Sequence, residues 1–410
     1  MDNSSVFRNK EYNINDFFLL LLVASIAAGN FGGALQIPRL LAILFFYPSI
    51  KNAYQIWIII KRLVWGFAFF LVYGLISTIW SPAGLDDNLT SLSYNIIHVL
   101  YFFEIIIFSF KARQPIKIIT FAFFIAFIFT ALIGAWELKT EQHLSFSKLK
   151  EASEVKYEDD TFTRYFAAAT FYNFNTYVTY LCLLLPYLFY GSSSQYFNKS
   201  IKICFIISII AAMILILYNG SRGGFLSFII IFLVYIIFSL RSKWLIFLNI
   251  VLIGGIYIVL SKYGDVILQT LSARISVQGS FEEENRITIW RNVMCVVDEY
   301  DGLGCGPGSL PIAMVKYAHG GFLISHNIFL EILSQYGFLF FIAFICYLLK
   351  IFVSSKRLCD HNRRVCVYQA IISLPIIGII NSEYLTSPFV WTSMASLFVF
   401  ANLRQYYSPK

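Results

Sequence analysis

The residues at 218–224 read "YNGSRGG", an arginine among three glycines. Long apolar runs flank it, "ICFIISIIAAMILIL" before and "FLSFIIIFLVYIIFSL" after. Arg222 is therefore a cation at what reads as a membrane surface. There it costs free energy unless it snorkels, pairs, or meets an anionic ligand. Gly223 and Gly224, with Gly220, permit a sharp turn and close approach of a ligand to the backbone. The next apolar segment starts at once, so the amides and dipole of a helix N-terminus would face the same place. Arginine, free N–H groups and a helix start together describe a phosphate or pyrophosphate site. The plain alternative is a helix–helix turn whose arginine rests on lipid phosphates.

Other residues able to do chemistry lie at similar boundaries. Arg164 belongs to "TRYFAAATFYNFNTYVTYL", and Arg286 and Arg291 to "EENRITIWRNV". His326 and Asn327 stand in "ISHNIFLEILSQYGF". A histidine can act as general base near neutral pH, and the neighbouring amide can orient a substrate. The plain reading of His326 is a satisfied polar residue at an interface. The acidic runs 158–160 and 282–284 lack metal-site spacing and read as solvated loop charge. Asp86 and Asp87 are a weaker acidic pair, and no His/Cys spacing suggests zinc. The run "GLGCGPG" at 302–308 lacks the GK[ST] ending of a phosphate loop and reads as a flexible turn. Of seven cysteines, Cys295 and Cys305 share one external segment, where an oxidising compartment would allow a disulfide.

The elements holding these residues are read from composition. The 410-residue chain is 58% hydrophobic and 13% charged, with mean hydropathy +0.70. Soluble domains carry about 25% charged residues, so this is an all-α integral membrane protein. A transmembrane barrel is excluded because its strands would alternate. Twelve spans are expected near 15–31, 34–48, 63–80, 93–110, 116–136, 171–190, 201–218, 223–240, 244–261, 326–350, 365–380 and 388–403. The first is read as a retained span rather than a cleaved signal.

Nineteen lysines and arginines fall in the N-terminus, the even-numbered connections and the C-terminus. The loops "SPAGLDDNLTSL" and "NSEYLTSP" have none. The positive-inside rule then puts both termini in the cytoplasm. Arg39 and Arg222 are the exceptions on the outer side. The net charge of +8 thus reports topology and not nucleic-acid binding. Two longer external segments, 137–165 and 262–325, are the expected functional parts. The second should carry an amphipathic helix with Ile287, Ile289, Trp290, Val293, Met294 and Val297 on its apolar positions. No repeat relates the two halves, which argues against a transporter built from repeats. The chain is read as one polytopic domain over 1–410.

From 160 to 345 the motifs occur in a familiar order. "RYFAAATFYNFNTY", "SRGGFLSF", "NRITIWRNV" with its glycine turn, and "HNIFLEILSQYG" resemble those of the O-antigen ligase and O-antigen polymerase superfamily. Ala168 and Phe174 replace the usual glycine and proline, and Gly337 is followed by "FLFF" without the second glycine of ligases. That last difference turns the reading toward a polymerase. The resemblance implies a GT-C-like membrane glycosyltransferase of the bacterial inner membrane with a long periplasmic loop between spans nine and ten. It implies an undecaprenyl-diphosphate-linked oligosaccharide as donor, membrane lipid as surroundings, a chain-length regulator as protein partner, and neither metal nor cofactor. Arg222 and Arg286 would clamp the diphosphate, with Arg164 or Arg291 contributing, and His326 would deprotonate the acceptor. A ligase, and more distantly a lipid-linked glycan flippase, are the competing functions.

Overall fold

The computed structural model describes residues 13–145, 166–239, 279–318 and 323–403, together with Gly254. The described residues form helices and turns, with no strand among them. The helices are α1 (Ile14–Ala24), α2 (Ile37–Ser77), α3 (Leu85–Lys111), α4 (Pro115–Thr140), α5 (Phe174–Ser193) and α6 (Lys199–Tyr218). They continue with α7 (Arg222–Ser239), α8 (Gly279–Glu299), α9 (Leu310–Ala318), α10 (Ile328–Ser355), α11 (His361–Ile377) and α12 (Pro388–Asn402). Five of them, α2, α3, α4, α6 and α10, are long and apolar enough to cross a membrane. The expected span at 244–261 and Arg164 lie outside the described residues.

The helix starts are written in the sequence. Asn13, Asn173, Asn198, Asn327 and Asp360 each accept a hydrogen bond from an N–H of the following first turn. Pro38, Pro115 and Pro388 begin three others, where the missing N–H costs nothing. α5 and α12 form the centre, with α5 buried from Thr176 to Ser192 and α12 from Pro388 to Ala401. α2 is mostly exposed, its apolar side chains outward, as expected of a helix that faces lipid.

The segments 34–48 and 63–80, expected as separate spans, lie in one continuous stretch of helical backbone. A straight helix of 41 residues would run about 60 Å. The contacts forbid that. Arg39 meets His98 and Phe45 meets Phe108, so the first part of α2 runs parallel to α3. Phe67 meets Phe102, and Gly74 lies against Leu92, so the last part runs antiparallel to α3. The helical chain therefore turns back on itself between these parts. The basic residues Lys61 and Arg62 stand where α3 ends, around a cavity of about 1200 Å3 shared with Arg113, Lys350 and Arg363.

The bundle thus has two ends. At one, Asn13 Nδ2 donates to Lys111 O (2.8 Å) and Asn362 Nδ2 to Ser193 O (3.1 Å). At the other, Asn30 N donates to Thr170 O (2.8 Å) and Ile328 N to Gly378 O (2.9 Å). The described part of 262–325 caps this second end. Ile289, Val293 and Val296 of α8 pack on Leu310, Ala313 and Met314 of α9. Ile287 and Met294, expected on the apolar face, are exposed, because 3.6 residues per turn carry them round the helix.

The glycine run 302–308 is a packed wedge and not a flexible turn. Cys305 N donates to Ser334 O (2.7 Å), Gly306 N to Gln335 O (3.1 Å), and Phe338 N to Gly302 O (2.9 Å). These bonds hold it against a kink of α10 at Gly337, whose φ is 79°. Trp80 Nε1 and the Tyr73 hydroxyl donate to Gly304 O and Leu303 O from the other side (2.9 and 2.6 Å). Cys295 and Cys305 are both free thiols, the latter buried.

Candidate functional site

Three of the sequence-derived residues meet around one short piece of backbone, 378–380. Arg286 Nη1 donates to Ile379 O (2.9 Å). Gly223, beside Arg222, is so close to Ile380 that a Cβ would lie 3.0 Å from its Cγ1. Ile328, two residues after His326, donates its N–H to Gly378 O. Arg286 thus touches this segment, and Arg222 and His326 stand one and two residues from backbone packed on it, although the three come from separate parts of the chain.

Local structure explains how each is held. Arg222 opens α7, and Ser221 Oγ accepts from Gly224 N at 3.2 Å. A cation at a helix N-terminus opposes the dipole, so helix stability does not account for it. The glycines serve close packing: a Cβ on Gly224 would lie 2.4 Å from Val178 Cγ1 on α5. Arg286 lies half-buried on α8. Arg291 is exposed. The two are five positions apart, about 140° round the helix, so they do not act on the same face.

His326 adopts φ 45°, in the left-handed region that a non-glycine residue rarely occupies. The strain is held from both sides. Trp290 Nε1 donates to Ser325 O (3.1 Å), and Asn327 Oδ1 accepts from Phe329 N and Leu330 N (2.9 and 3.3 Å). The Asn327 carbonyl is thus used as a helix cap. Burial first, and then the charge of Arg286, push the His326 imidazole down to about 4. It is neutral near pH 7 and able to accept a proton.

A cavity of about 580 Å3 adjoins this segment, reaching Ser325 beside His326 and Asn381 beside Ile380. Arg39, Tyr94, Asn95, Glu331 and Gln335 also line it. Arg39 was visible in the sequence as a cation on the side where cations are scarce, yet nothing there tied it to the other arginines. Glu331 gave no signal among apolar neighbours. Its carboxylate accepts from Tyr384 N (2.9 Å) and Leu385 N (3.0 Å), fixing the loop that forms one side of the cavity.

Another buried carboxylate shapes the neighbourhood of the "AAAT" segment. Glu137 Oε2 accepts from Ala168 N (2.8 Å) and Ala169 N (2.6 Å), and Oε1 meets His143 Nδ1 at 3.1 Å. Asn219 Oδ1, next to the glycine turn, accepts from Ala167 N (2.8 Å). Glu137→Ala would leave two buried N–H groups unpaired. A loss of about 2–4 kcal/mol is expected, read as a fall in melting temperature of the purified protein.

Asp86 and Asp87 are exposed in the first turn of α3, where negative charge complements the helix dipole. Among the described residues, no group of three or more His, Cys, Asp or Glu side chains is arranged to hold a metal ion.

Residues 206–345, which contain Arg222, Arg286, Arg291, His326 and Asn327, match the family described as O-antigen ligase. The matched segment is about a third of the chain, and it supports the likeness to the O-antigen ligase and polymerase superfamily. It is also similar to the teichuronic acid biosynthesis protein TuaE of Bacillus subtilis (strain 168). The two are 22% identical over 363 residues, covering 84% of this chain and 72% of the relative. Together these similarities support a polysaccharide polymerase or ligase role in a membrane. Arg164 lies outside the matched segment.

Proposed function

We propose that the protein is a polysaccharide polymerase, which transfers an undecaprenyl-diphosphate-linked glycan to the next lipid-linked repeat unit. The observation that carries this reading is the packing on 378–380 of Arg286 and of the backbone next to Arg222 and His326. In the proposed step the anomeric C–O bond to the diphosphate breaks while a bond forms to the acceptor hydroxyl oxygen, with inversion. The hydroxyl proton passes to the neutral His326 imidazole. The bond electrons leave with the diphosphate, whose growing charge Arg222 and Arg286 stabilise as preorganised donors. Arg164 and Arg291 would act on the substrate farther from the bond. No step is routed through a metal.

The site belongs at the periplasmic face of the inner membrane in this reading. Lys61, Arg62, Arg113, Lys350 and Arg363 gather at the opposite end of the bundle, which the positive-inside rule assigns to the cytoplasm. Twelve spans, cytoplasmic termini and a chain-length regulator as partner complete it. Gel profiles of surface glycan after gene deletion test the function. A core capped by one repeat unit supports the polymerase. Bare core with long carrier-linked chains would instead make the protein a ligase, the reading favoured by the description of the matched family.

The histidine sets the acid limb of the reaction. The folded-state pKa lies below the ordinary 6.5, at about 4. The unfolded chain therefore binds the proton more readily. This contribution to stability is full above about pH 6.5 and is lost as pH falls through about 4. Transfer rate should likewise stay level from about pH 8 to 6 and fall only near pH 4 to 5. Initial rates with a short-chain lipid diphosphate donor check this. An acid limb centred between about 6 and 7 would exclude the buried His326 as the base.

A further inference from the structure

The end of the bundle away from the 378–380 segment holds the larger cavity, of about 1200 Å3. Lys61 and Arg62 of α2, Arg113 of the α3–α4 turn, Lys350 of α10 and Arg363 of α11 line it. None of its lining residues is an aspartate or a glutamate. The positive-inside rule accounts for the sign of the charge at this end. It does not account for cations from four parts of the chain meeting around one void.

The five cations are not equally engaged. Arg363 is 1% exposed and holds the end of α12, donating from Nη2 to Val399 O (3.0 Å) and from Nε to Phe400 O. Asp360 Oδ1 accepts from Arg363 N (3.1 Å), and Asp16 Oδ1 accepts from Arg113 N (2.9 Å). These two acids offset part of the charge of Arg363 and Arg113, although neither lines the cavity or forms an ion pair with the arginine. Lys61, Arg62 and Lys350 are exposed, and none of the three forms a hydrogen bond or ion pair among the described residues. Like charges around one space repel, and an anion there relieves the repulsion. α4 begins at the same place. Gln114, Pro115 and Ile116 line the cavity, and no side chain caps that helix start, so its dipole also favours an anion.

The remaining lining is apolar. Ile58 and Ile59 of α2 are 82% and 49% exposed, and Leu63, Phe110, Phe398 and Leu403 also line the cavity. A soluble phosphate compound would use the cations and leave these side chains wet. An amphiphile with an anionic head and acyl chains satisfies both, and basic pockets between membrane helices take such headgroups. The chain's own C-terminus does not replace it: residues 404–410, which follow Leu403, carry Arg404 and Lys410 and no acid.

We propose that this cavity binds an anionic phospholipid of the surrounding leaflet, its phosphate on Lys61, Arg62 and Lys350 and its acyl chains along Ile58 and Ile59. The lipid joins the outlying α2 to α10 and α4, so its effect is on the stability of the bundle. The proposal needs the chain to be a membrane protein and does not depend on the polymerase reading.

The test uses the whole chain in a non-ionic detergent, titrated with phosphatidylglycerol, phosphatidylcholine or glycerophosphoglycerol. Native mass spectrometry counts the retained lipid, and melting is followed in parallel. Phosphatidylglycerol should bind and raise the melting temperature with concentration. Phosphatidylcholine, whose head has no net charge, should bind about tenfold more weakly. Lys61→Gln with Arg62→Gln should weaken phosphatidylglycerol binding about tenfold, and Lys350→Gln, on a distant helix, about threefold. Because these side chains are exposed and without partners, the variants should melt at or above wild type when no lipid is added. Lys139→Gln removes an exposed charge in the last turn of α4, at the other end of the bundle, and should leave binding unchanged. Equal binding of phosphatidylcholine overturns the proposal. Equal stabilisation by glycerophosphoglycerol would make the cavity a site for a soluble phosphate and also overturn it. Equal weakening by Lys139→Gln and the cavity variants would reduce the binding to diffuse attraction by net charge, and unchanged binding in the cavity variants would put the lipid elsewhere. Either result overturns the assignment.

Discussion

Arg222→Ala and Arg286→Ala are each expected to lower polymer formation by about 10²–10³-fold at matched protein levels. In the proposed step the leaving diphosphate gains charge as the glycosidic bond breaks, and each arginine would be a cation beside the place where that charge forms. Arg286 is positioned by its bond to Ile379 O, so water need not reorganise around it during the step. Lysine in either position keeps the charge and loses the planar fork, so Arg222→Lys and Arg286→Lys should retain more activity than alanine, with a loss of about tenfold. Glycan ladders from complemented deletion strains, with membrane protein quantified, decide the matter. Normal ladders in both alanine variants would remove the packing at 378–380 from the mechanism. Arg291→Ala makes the comparison sharper, because its side chain is exposed on another face of α8 and a smaller effect is expected.

Gly337→Ala should destabilise the protein by more than about 3 kcal/mol. At φ 79° and ψ −179° an L-residue is strained whatever the surrounding space. The space is also missing, since a Cβ would lie 2.4 Å from Leu303 O and 2.5 Å from Gly302 O. Relief requires the glycine run to move, which breaks its backbone bonds to Ser334, Gln335 and Phe338. The same run seats Gly308 and Leu310 at the cavity, so glycan transfer should fall with stability. Melting of the purified variant in detergent tests this. Gly66→Ala serves as the control, since a Cβ there meets nothing within 4 Å and the helix gains from alanine. A Gly337 variant that melts with wild type would show that the kink is not needed to dock the run.

The local elements were legible in the sequence because their causes are local. Apolar runs gave the helices, with boundaries close to those observed at α6, α7 and α12. The amphipathic character of α8 was legible for the same reason. Its exposed Ile287 and Met294 were not, since which stripe faces inward depends on what α8 packs against. The glycine run read as a flexible turn because its composition is that of a turn. What makes it rigid is the α10 kink, which begins 29 residues beyond its last glycine.

The sequence by itself determined that this is a helical membrane protein, which residues begin its helices, and that arginines stand at 218–224 and 286–291 with a histidine at 326. Those facts follow from hydropathy, capping and charge, which act within a few residues. Only the tertiary structure decided that Arg286 and the backbone next to Arg222 and His326 pack on 378–380 while Arg291 is exposed on another face of α8. It alone brought Arg39, Gln36 and Asn95 to one cavity, through a reversal inside α2 that continuous helical backbone conceals. The physical reason is that an apolar helix carries no signal for its neighbours. Packing against α3 and the loop at 381–387 selects them, and those contacts join residues up to 347 positions apart.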